Sequence, residues 1–206
     1  MNQTDMTKRV ALIVNGEFPK KPSIIEKIKE SKVIIATDGA ANLLSEYEIH
    51  PHYVIGDLDS INNDNDYNVI ETPDQSKTDL EKALDWCIDN NYLKLSIFGM
   101  SGKSEDHFLG NFFTINEFVE NINFVIYTDY SIITPCVGKK KFDSFFGQTV
   151  SLITLQNNSI VSSENLEYAL DSYELVPSSR AIRNKSLGKS FTIECSEPLM
   201  VFQSKD

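Results

Sequence analysis

NVIETPDQSKTDLEKALDWCI, residues 68–88, carries the transition that decides the fold: a short apolar run, NVIE, gives way through a polar turn to a helical pattern. After Thr78 the apolar residues Leu80, Ala83, Leu84, Cys87 and Ile88 recur with the 3.6-residue period of one helix face. Thr78-Asp79-Leu80-Glu81 has the form of a capping box, in which a hydroxyl and a carboxylate satisfy backbone amides at the helix start. A strand followed by a capped helix is half of a βαβ unit, and the same alternation runs through the first two thirds of the chain. VALIV (10–14), VIIA (33–36), YVI (53–55), LSIF (95–98) and NFVIY (123–127) read as further buried strands. A second helix is expected after Asp106, with Phe108, Phe112, Ile115 and Val119 forming one core-facing stripe. The pattern predicts an α/β domain, a three-layer parallel sheet with helices on both faces.

From about Tyr130 the texture changes. SIIT (131–134), KKKFDSFF (139–146), TVSLITL (149–155), KSFTIEC (189–195) and LMVF (199–202) are strand-like, separated by turn residues, with little helical periodicity. The expectation is an N-terminal domain over residues 1–129 and a smaller antiparallel β-sandwich over residues 130–206. Lys139, Lys140 and Lys141 suit a solvated strand edge that discourages aggregation.

With 206 residues, 41% hydrophobic and 24% charged, the chain has the composition of an ordinary folded protein. A net charge of -11 argues against duplex nucleic-acid binding, which needs Lys and Arg opposite many phosphates. The N-terminal apolar run is too short for a signal peptide, and no stretch approaches the length of a membrane span. Cys87, Cys136 and Cys195 are odd in number and widely spaced, which suggests neither a disulfide framework nor a zinc site and fits a reducing cytoplasm. His50 and His52 flank Pro51, but no third metal ligand lies nearby in sequence.

In an open parallel sheet, ligands bind beyond the carboxyl ends of the strands. Here those positions are acidic: Asp38 follows VIIAT, Asp57 and Asp59 follow YVIG, Asp74 and Asp79 follow NVIETP, and Asp106 follows LSIFGMSGKSE. Bare phosphate would be repelled by such a rim. Mg²⁺, a hard cation that favours oxygen ligands, reconciles the two by bridging carboxylates to nucleotide phosphates. In Gly56-Asp57-Leu58-Asp59-Ser60 the glycine permits a tight exit from the strand, and acids at i and i+2 can face one metal. The competing reading is an Asp-rich turn whose side chains bond local amides. Asp38, before Gly39, Ala40, Ala41 and Asn42, has a rival role as a helix N-cap, and Asp79 as a complement to the helix dipole.

GMSGKS, residues 99–104, invites comparison with a phosphate-binding P-loop, but the position that needs the first glycine is Ile97, inside the strand. A looser phosphate-contacting loop remains, with Lys103 supplying charge and the following helix N-terminus supplying amide donors. His107 either orients this loop or sits satisfied in the core.

Taken in order and spacing, DGAAN (38–42), GDLDS (56–60), DQSKTDLEKAL (74–84) and GMSGKSEDHFLGN (99–111) resemble the thiamine pyrophosphokinase family. More weakly, so do NLEYAL (165–170) and AIRN (181–184). The resemblance implies a nucleotide-binding α/β domain followed by a β-sandwich, and a homodimer with sites at the subunit interface. It further implies transfer of diphosphate from ATP to the hydroxyethyl group of thiamine, giving thiamine diphosphate and AMP with Mg²⁺ as cofactor. By the same resemblance, Asp57, Asp59 and Asp79 hold Mg²⁺·ATP. Asp38, Gly39, Asn42, Gln75, Thr78, Lys103, Ser104 and His107 surround the nucleotide, and Asp106 positions the donor or accepts the thiamine proton. Tyr168, Arg183 and Asn184 are the thiamine-side candidates, an aromatic platform suiting a flat cation.

The chain departs from the family pattern at three places. Lys103-Ser104 stands where Gly-Arg is usual, Asn165 where Gly is usual, and Arg183 where Ser is usual. Lys cannot reproduce the bidentate fork of Arg. Two other readings keep the acidic donor site: a pyrophosphokinase for another hydroxymethyl acceptor such as a pterin, and a non-catalytic nucleotide- or thiamine-binding regulator.

Overall fold

The computed structural model describes residues 9–57 and 68–205. The chain divides into two compact units, Met1–Asp129 and Tyr130–Asp206, each with its own apolar core.

In the first unit the order is β1 (Val10–Ile13), α1 (Pro22–Lys29), β2 (Val33–Thr37), α2 (Asp38–Ser45), β3 (Tyr53–Gly56), β4 (Asn68–Glu71), α3 (Asp79–Asp89), β5 (Lys94–Phe98), α4 (Glu105–Glu117) and β6 (Asn123–Tyr127). The strands lie in the order β4-β3-β2-β1-β5-β6, every pair parallel. Ala11, Ile13, Ala36 and Phe98 join Ile24 and Ile28 of α1 and Ala40, Ala41 and Leu44 of α2 in one core. Because successive strand residues alternate faces, Leu12, Ile35, Ile55 and Ile97, all fully buried, serve the opposite face, where α3 packs on β2 and β3 and against α4. This is the expected α/β sheet clothed on both sides, and its near-continuous apolar strands follow from that double burial.

The chain builds outward from β1 to β4, then returns to β5 on the other side of β1. The switch of direction between β1 and β5 opens a crevice at their carboxyl ends. The helix starts behave as the local chemistry dictates. Thr78 caps α3 in a reciprocal box, its hydroxyl accepting from the Glu81 amide at 3.3 Å while its own amide donates to Glu81 Oε2 at 2.8 Å. Asp38 does not cap α2: the N-cap is Thr37, and Asp38 is the first helical residue, 2% exposed. Similarly α4 begins at Glu105 behind the N-cap Ser104, so Asp106 sits in its first turn. Phe112 and Ile115 of the predicted stripe are buried, whereas Val119 lies beyond the helix end. His52 accepts the Ile34 amide on Nδ1 at 3.0 Å, a backbone role that gives no support to metal binding.

The second unit comprises β7 (Ser131–Asp143), β8 (Thr149–Ile153), β9 (Ser159–Glu164), β10 (Tyr173–Leu175), β11 (Asn184–Lys185) and β12 (Ser190–Ser204). Its pairings are antiparallel. Two long strands replace four of the expected short ones: SIIT and KKKFD belong to β7, and SFTIEC and LMVF to β12. The register of β12 on β7 shifts between Cys195 and Leu199. Before that irregularity β12 pairs with β9, and after it with β8. One strand thereby serves two layers, and the sandwich core between them holds Phe142 stacked on Phe191 at 5.1 Å together with Val150, Val161 and Val201. Lys139 pairs across strands with Glu164 and Glu194.

All three cysteines are free and buried, and burial pushes the Cys87 thiol up to about 12. Among the described residues no helix is long and apolar enough to cross a membrane.

Candidate active site

The tips of β1 and β5 are joined beyond the sheet. Val14 N–H donates to Phe98 O at 2.8 Å, Gly16 N–H to Gly99 O at 2.7 Å, and Glu17 N–H to Ser101 O at 2.7 Å. Side chains are excluded here: a Cβ on Gly16 would fall 2.2 Å from Gly99 O, and one on Gly99, whose φ is +68°, would fall 2.3 Å from Val14 O. The pairing holds Asn15 at the crevice. Its Oδ1 accepts from Lys103 Nζ at 2.6 Å, and its carboxamide lies against Gly39, where a Cβ would come within 2.0 Å of Nδ2.

A cleft of about 490 Å³ opens at this point. It gathers Asp57 after β3, Gln75, Thr78 and Asp79 at the start of α3, and Asp106 and His107 at the start of α4. Three separated sequence segments thus meet as the strand-end reading expects. Asp38, Gly39, Asn42, Lys103 and Ser104 are not in the lining. Gly39 and Lys103 nevertheless touch it through Asn15, and Ser104 through its hydrogen bond to Asp106. Asp38 packs against Gly56, where a Cβ would come within 2.4 Å of its own. Asp59 lies outside the described residues.

Sequence reasoning missed Asn15, Lys77, Lys82 and Asn111, all of which line the cleft. Asn15 directly follows a strand and so meets the positional criterion, but a search confined to acids passes over it. Lys82 is the more consequential omission. It is 6% exposed, and its ammonium stands 3.4 Å from Asp79 Oδ1. A buried cation needs such a partner, and one that borders an open cleft can serve a second anion there.

The remaining polar contacts order the acids. Gln75 Nε2 donates to Asp57 Oδ2 at 3.2 Å, and Lys77 is drawn away to Asp85 at 2.7 Å. Asn111 Nδ2 donates to Met100 O at 3.1 Å, tying α4 to the loop after β5. The Ser104 hydroxyl and then the His107 amide hold the Asp106 carboxyl below the usual carboxylate value. Asp74 is likewise lowered by Ser76, whose hydroxyl and amide both bond it at 2.6 and 2.9 Å; that aspartate is spent on its turn.

Among the described residues no cluster of three or more His, Cys, Asp or Glu is gathered as a metal cage. What the cleft presents is hard oxygen donors, Asp57 and Asp79, with open space beside them. That donor set fits Mg²⁺, which usually takes one or two protein carboxylates and completes its shell with water and substrate phosphates.

In the second unit, Tyr168 is 68% exposed. Asn184 is 7% exposed, and its carboxamide brackets the Tyr168 backbone: Nδ2 donates to Tyr168 O at 2.7 Å, and Oδ1 accepts from the Tyr168 amide at 3.0 Å. Arg183 donates its amide to Ser151 Oγ at 2.9 Å. Lys103, Asn165 and Arg183, the three departures from the family pattern, have φ of +62°, +62° and +59°. Each occupies a left-handed position, which glycine adopts freely, asparagine tolerates, and lysine and arginine adopt at a cost.

A family model described as thiamin pyrophosphokinase, catalytic domain, matches residues 24–127, and one described as thiamin pyrophosphokinase, substrate-binding domain, matches residues 131–202. Thiamin pyrophosphokinase 1 of Caenorhabditis elegans is 29% identical over 191 residues, a match spanning 83% of this chain and 78% of that protein. Thiamine pyrophosphokinase of Bacillus subtilis is 28% identical over 112 residues, spanning 50% of this chain and 52% of that protein. Among solved structures, the B. subtilis thiamine pyrophosphokinase superposes with a TM-score of 0.81 at 22% identity, over 96% of this chain and all (100%) of that one. The Candida albicans thiamin pyrophosphokinase does so with a TM-score of 0.80 at 19% identity, over 96% and 90% of the two chains. These structural likenesses establish a shared fold.

Proposed function

The chain belongs to the thiamin pyrophosphokinase family, and from that premise we propose that the cleft at the tips of β1, β2 and β3 is its diphosphate-donor site. The reaction moves a diphosphate group from ATP to the hydroxyethyl oxygen of thiamine. That oxygen forms a bond to the β-phosphorus as the bond from β-phosphorus to the AMP oxygen breaks, and the hydroxyl proton is released. The observation that carries the assignment is the meeting of Asp57, Gln75, Thr78, Asp79, Asp106 and His107 in one cleft.

In this reading Asp57 and Asp79, joined by Asp59, hold Mg²⁺, which when bound supplies charge neutralisation on the transferring phosphates. Gln75 fixes the Asp57 carboxylate and, with Thr78, offers polar contacts to phosphate oxygens. Lys82, beside Asp79, and Lys103, beside Asn15, add positive charge. Asp38 and Gly39 shape the nucleotide side through Gly56 and Asn15, and Asn42 follows them on α2. Asp106 is held ionised by Ser104, which makes it a weak proton acceptor; its part is to orient groups beside His107. Most of the rate gain then comes from positioning and electrostatics, as in phosphoryl transfers generally.

On the acceptor side, the exposed Tyr168 ring offers a platform to the thiazolium cation, Arg183 is a neighbouring contact, and Asn184 acts by securing Tyr168. A homodimer with sites at the subunit interface is supported by the family resemblance and by Leu109 and Phe113, 51% and 56% exposed on α4. A cytoplasmic location is supported by the three unpaired, buried thiols.

The purified protein incubated with Mg²⁺·ATP and thiamine should release AMP and thiamine diphosphate. AMP formed only with a hydroxymethylpterin would reassign the acceptor, and tight binding of both substrates without AMP would make the protein a regulator.

A further inference from the structure

A second cavity, of about 440 Å³, opens on the first unit at the other end of the sheet, where Val10, Lys94 and Asn123 begin β1, β5 and β6. It runs to Tyr127 at the far end of β6 and is walled on one side by Lys27 of α1. Its charge is opposite in sign to the net charge of the chain. The chain carries 30 acidic and 19 basic residues, yet the lining has Arg9, Lys27 and Lys94 and no carboxylate among the described residues. Glu30 bonds Arg9 at 3.3 Å, with both groups more than half exposed.

Two of these cations act on one side chain, Tyr127. Lys27 Nζ lies over the Tyr127 ring, 5.0 Å from its centroid, and the Arg9 charge also acts on that phenol. Burial, opposed by the Arg9 charge, raises the Tyr127 phenol above its ordinary value. Ser96 and Asn123 add polar groups to the floor. A concave surface bearing three cations beside the polar groups of Ser96 and Asn123 is the complement of a small dianion, and the volume lies within the range of ligand pockets.

We propose that this groove, bounded by Arg9, Lys27, Lys94, Asn123 and Tyr127, is a binding site for a phosphate dianion, separate from the donor cleft, with which it shares no lining residue. The phosphate is carried either by inorganic phosphate or by a phosphomonoester such as AMP.

The test is a titration of the ¹⁵N-labelled full chain with inorganic phosphate and, separately, with AMP, in EDTA so that metal-assisted binding at the cleft is suppressed. Either anion should give saturable shifts of the Ser96, Asn123 and Tyr127 amides. The pair Lys27→Ala and Lys94→Ala should raise Kd at least about tenfold, the loss of charge-assisted contacts, with turnover of Mg²⁺·ATP and thiamine unchanged. Arg9→Ala, at an exposed position, gives the same reading should the double variant fold poorly. Tighter binding of AMP than of phosphate assigns the site to an ester, and equal binding assigns it to the phosphate group alone. Shifts that do not saturate, or that persist unchanged in both variants, overturn the proposal.

Discussion

The buried ammonium of Lys82 stands 3.4 Å from the Asp79 carboxylate, one turn away on α3, and both line the cleft. Asp79 is 42% exposed at its side chain while Lys82 is 4% exposed, so the pair is asymmetric: the cation depends on the acid, and the acid retains water. Lys82→Met should therefore leave the melting temperature nearly unchanged, because water can solvate Asp79 and the methionine fills the buried volume. It should lower kcat by about 10²-fold, the usual cost of one preorganised charge at a transition state. Steady-state kinetics beside thermal denaturation separates the two effects; equal loss of both would make Lys82 a structural residue only.

Ser104→Ala tests the part given to Asp106. Removing the hydroxyl should raise the Asp106 carboxyl towards its ordinary value of 3.8, which a carboxyl-detected NMR titration reads directly. The sign follows from the lowered group: its stabilisation is present at neutral pH and is lost as pH falls through the folded-state value. In the variant the folded and unfolded values draw together, so less stabilisation is present to be lost on acidification. At neutral pH Asp106 is ionised in both proteins, so kcat should hold. A clear rise in kcat with the raised basicity would mark Asp106 as the proton acceptor instead.

Lys103 combines a left-handed backbone, φ +62°, with a hydrogen bond to Asn15 at 2.6 Å. Lys103→Gly should relieve the backbone and stabilise the fold by about 1 kcal/mol, while weakening ATP binding through the lost charge. Lys103→Ala keeps the strain and loses the same charge, so it should share the raised KM for ATP without the gain in melting temperature. A Gly variant no more stable than the Ala variant would contradict the strain argument.

Thr78→Ala removes the hydroxyl half of the capping box of α3 and should destabilise the protein by about 1 kcal/mol in chemical denaturation. Thr78→Ser should recover it. If Thr78 also contacts phosphate, the Ala variant additionally raises KM for ATP, a shift that loss of the cap alone does not require.

These positions also show what the sequence makes legible. The buried strands of the first unit stand out because both sheet faces are covered, which leaves continuous Val and Ile runs with no polar alternation to confuse them. The capping box is local chemistry and needs no tertiary information. The second unit was harder to read for a physical reason. Pro135, Gly138 and the Ser196-Glu197-Pro198 stretch look like turns but lie within long strands, because the layers of the sandwich are joined through one irregular strand. SIVSSE (159–164) has too few apolar residues to announce β9, and β10 and β11 are only three and two residues long.

Within the site, the acids were visible because they follow strand ends, where ligands bind in an open parallel sheet. Lys82 and Asn15 were not, since a lysine inside a helical pattern reads as a solvated side chain and only packing shows it buried. Asn184 shows the opposite limit: a motif position suggests ligand contact, while its carboxamide is engaged with the Tyr168 backbone.

The donor cleft itself is tested most directly by Asp57→Asn, measured as turnover of ATP and thiamine across a Mg²⁺ titration. The substitution preserves shape and leaves an amide oxygen to accept from Gln75, so the fold should be intact. The account predicts a fall in kcat of about 10³-fold and a requirement for at least about tenfold more Mg²⁺, the loss of one hard ligand. Unchanged turnover with unchanged Mg²⁺ dependence would contradict it.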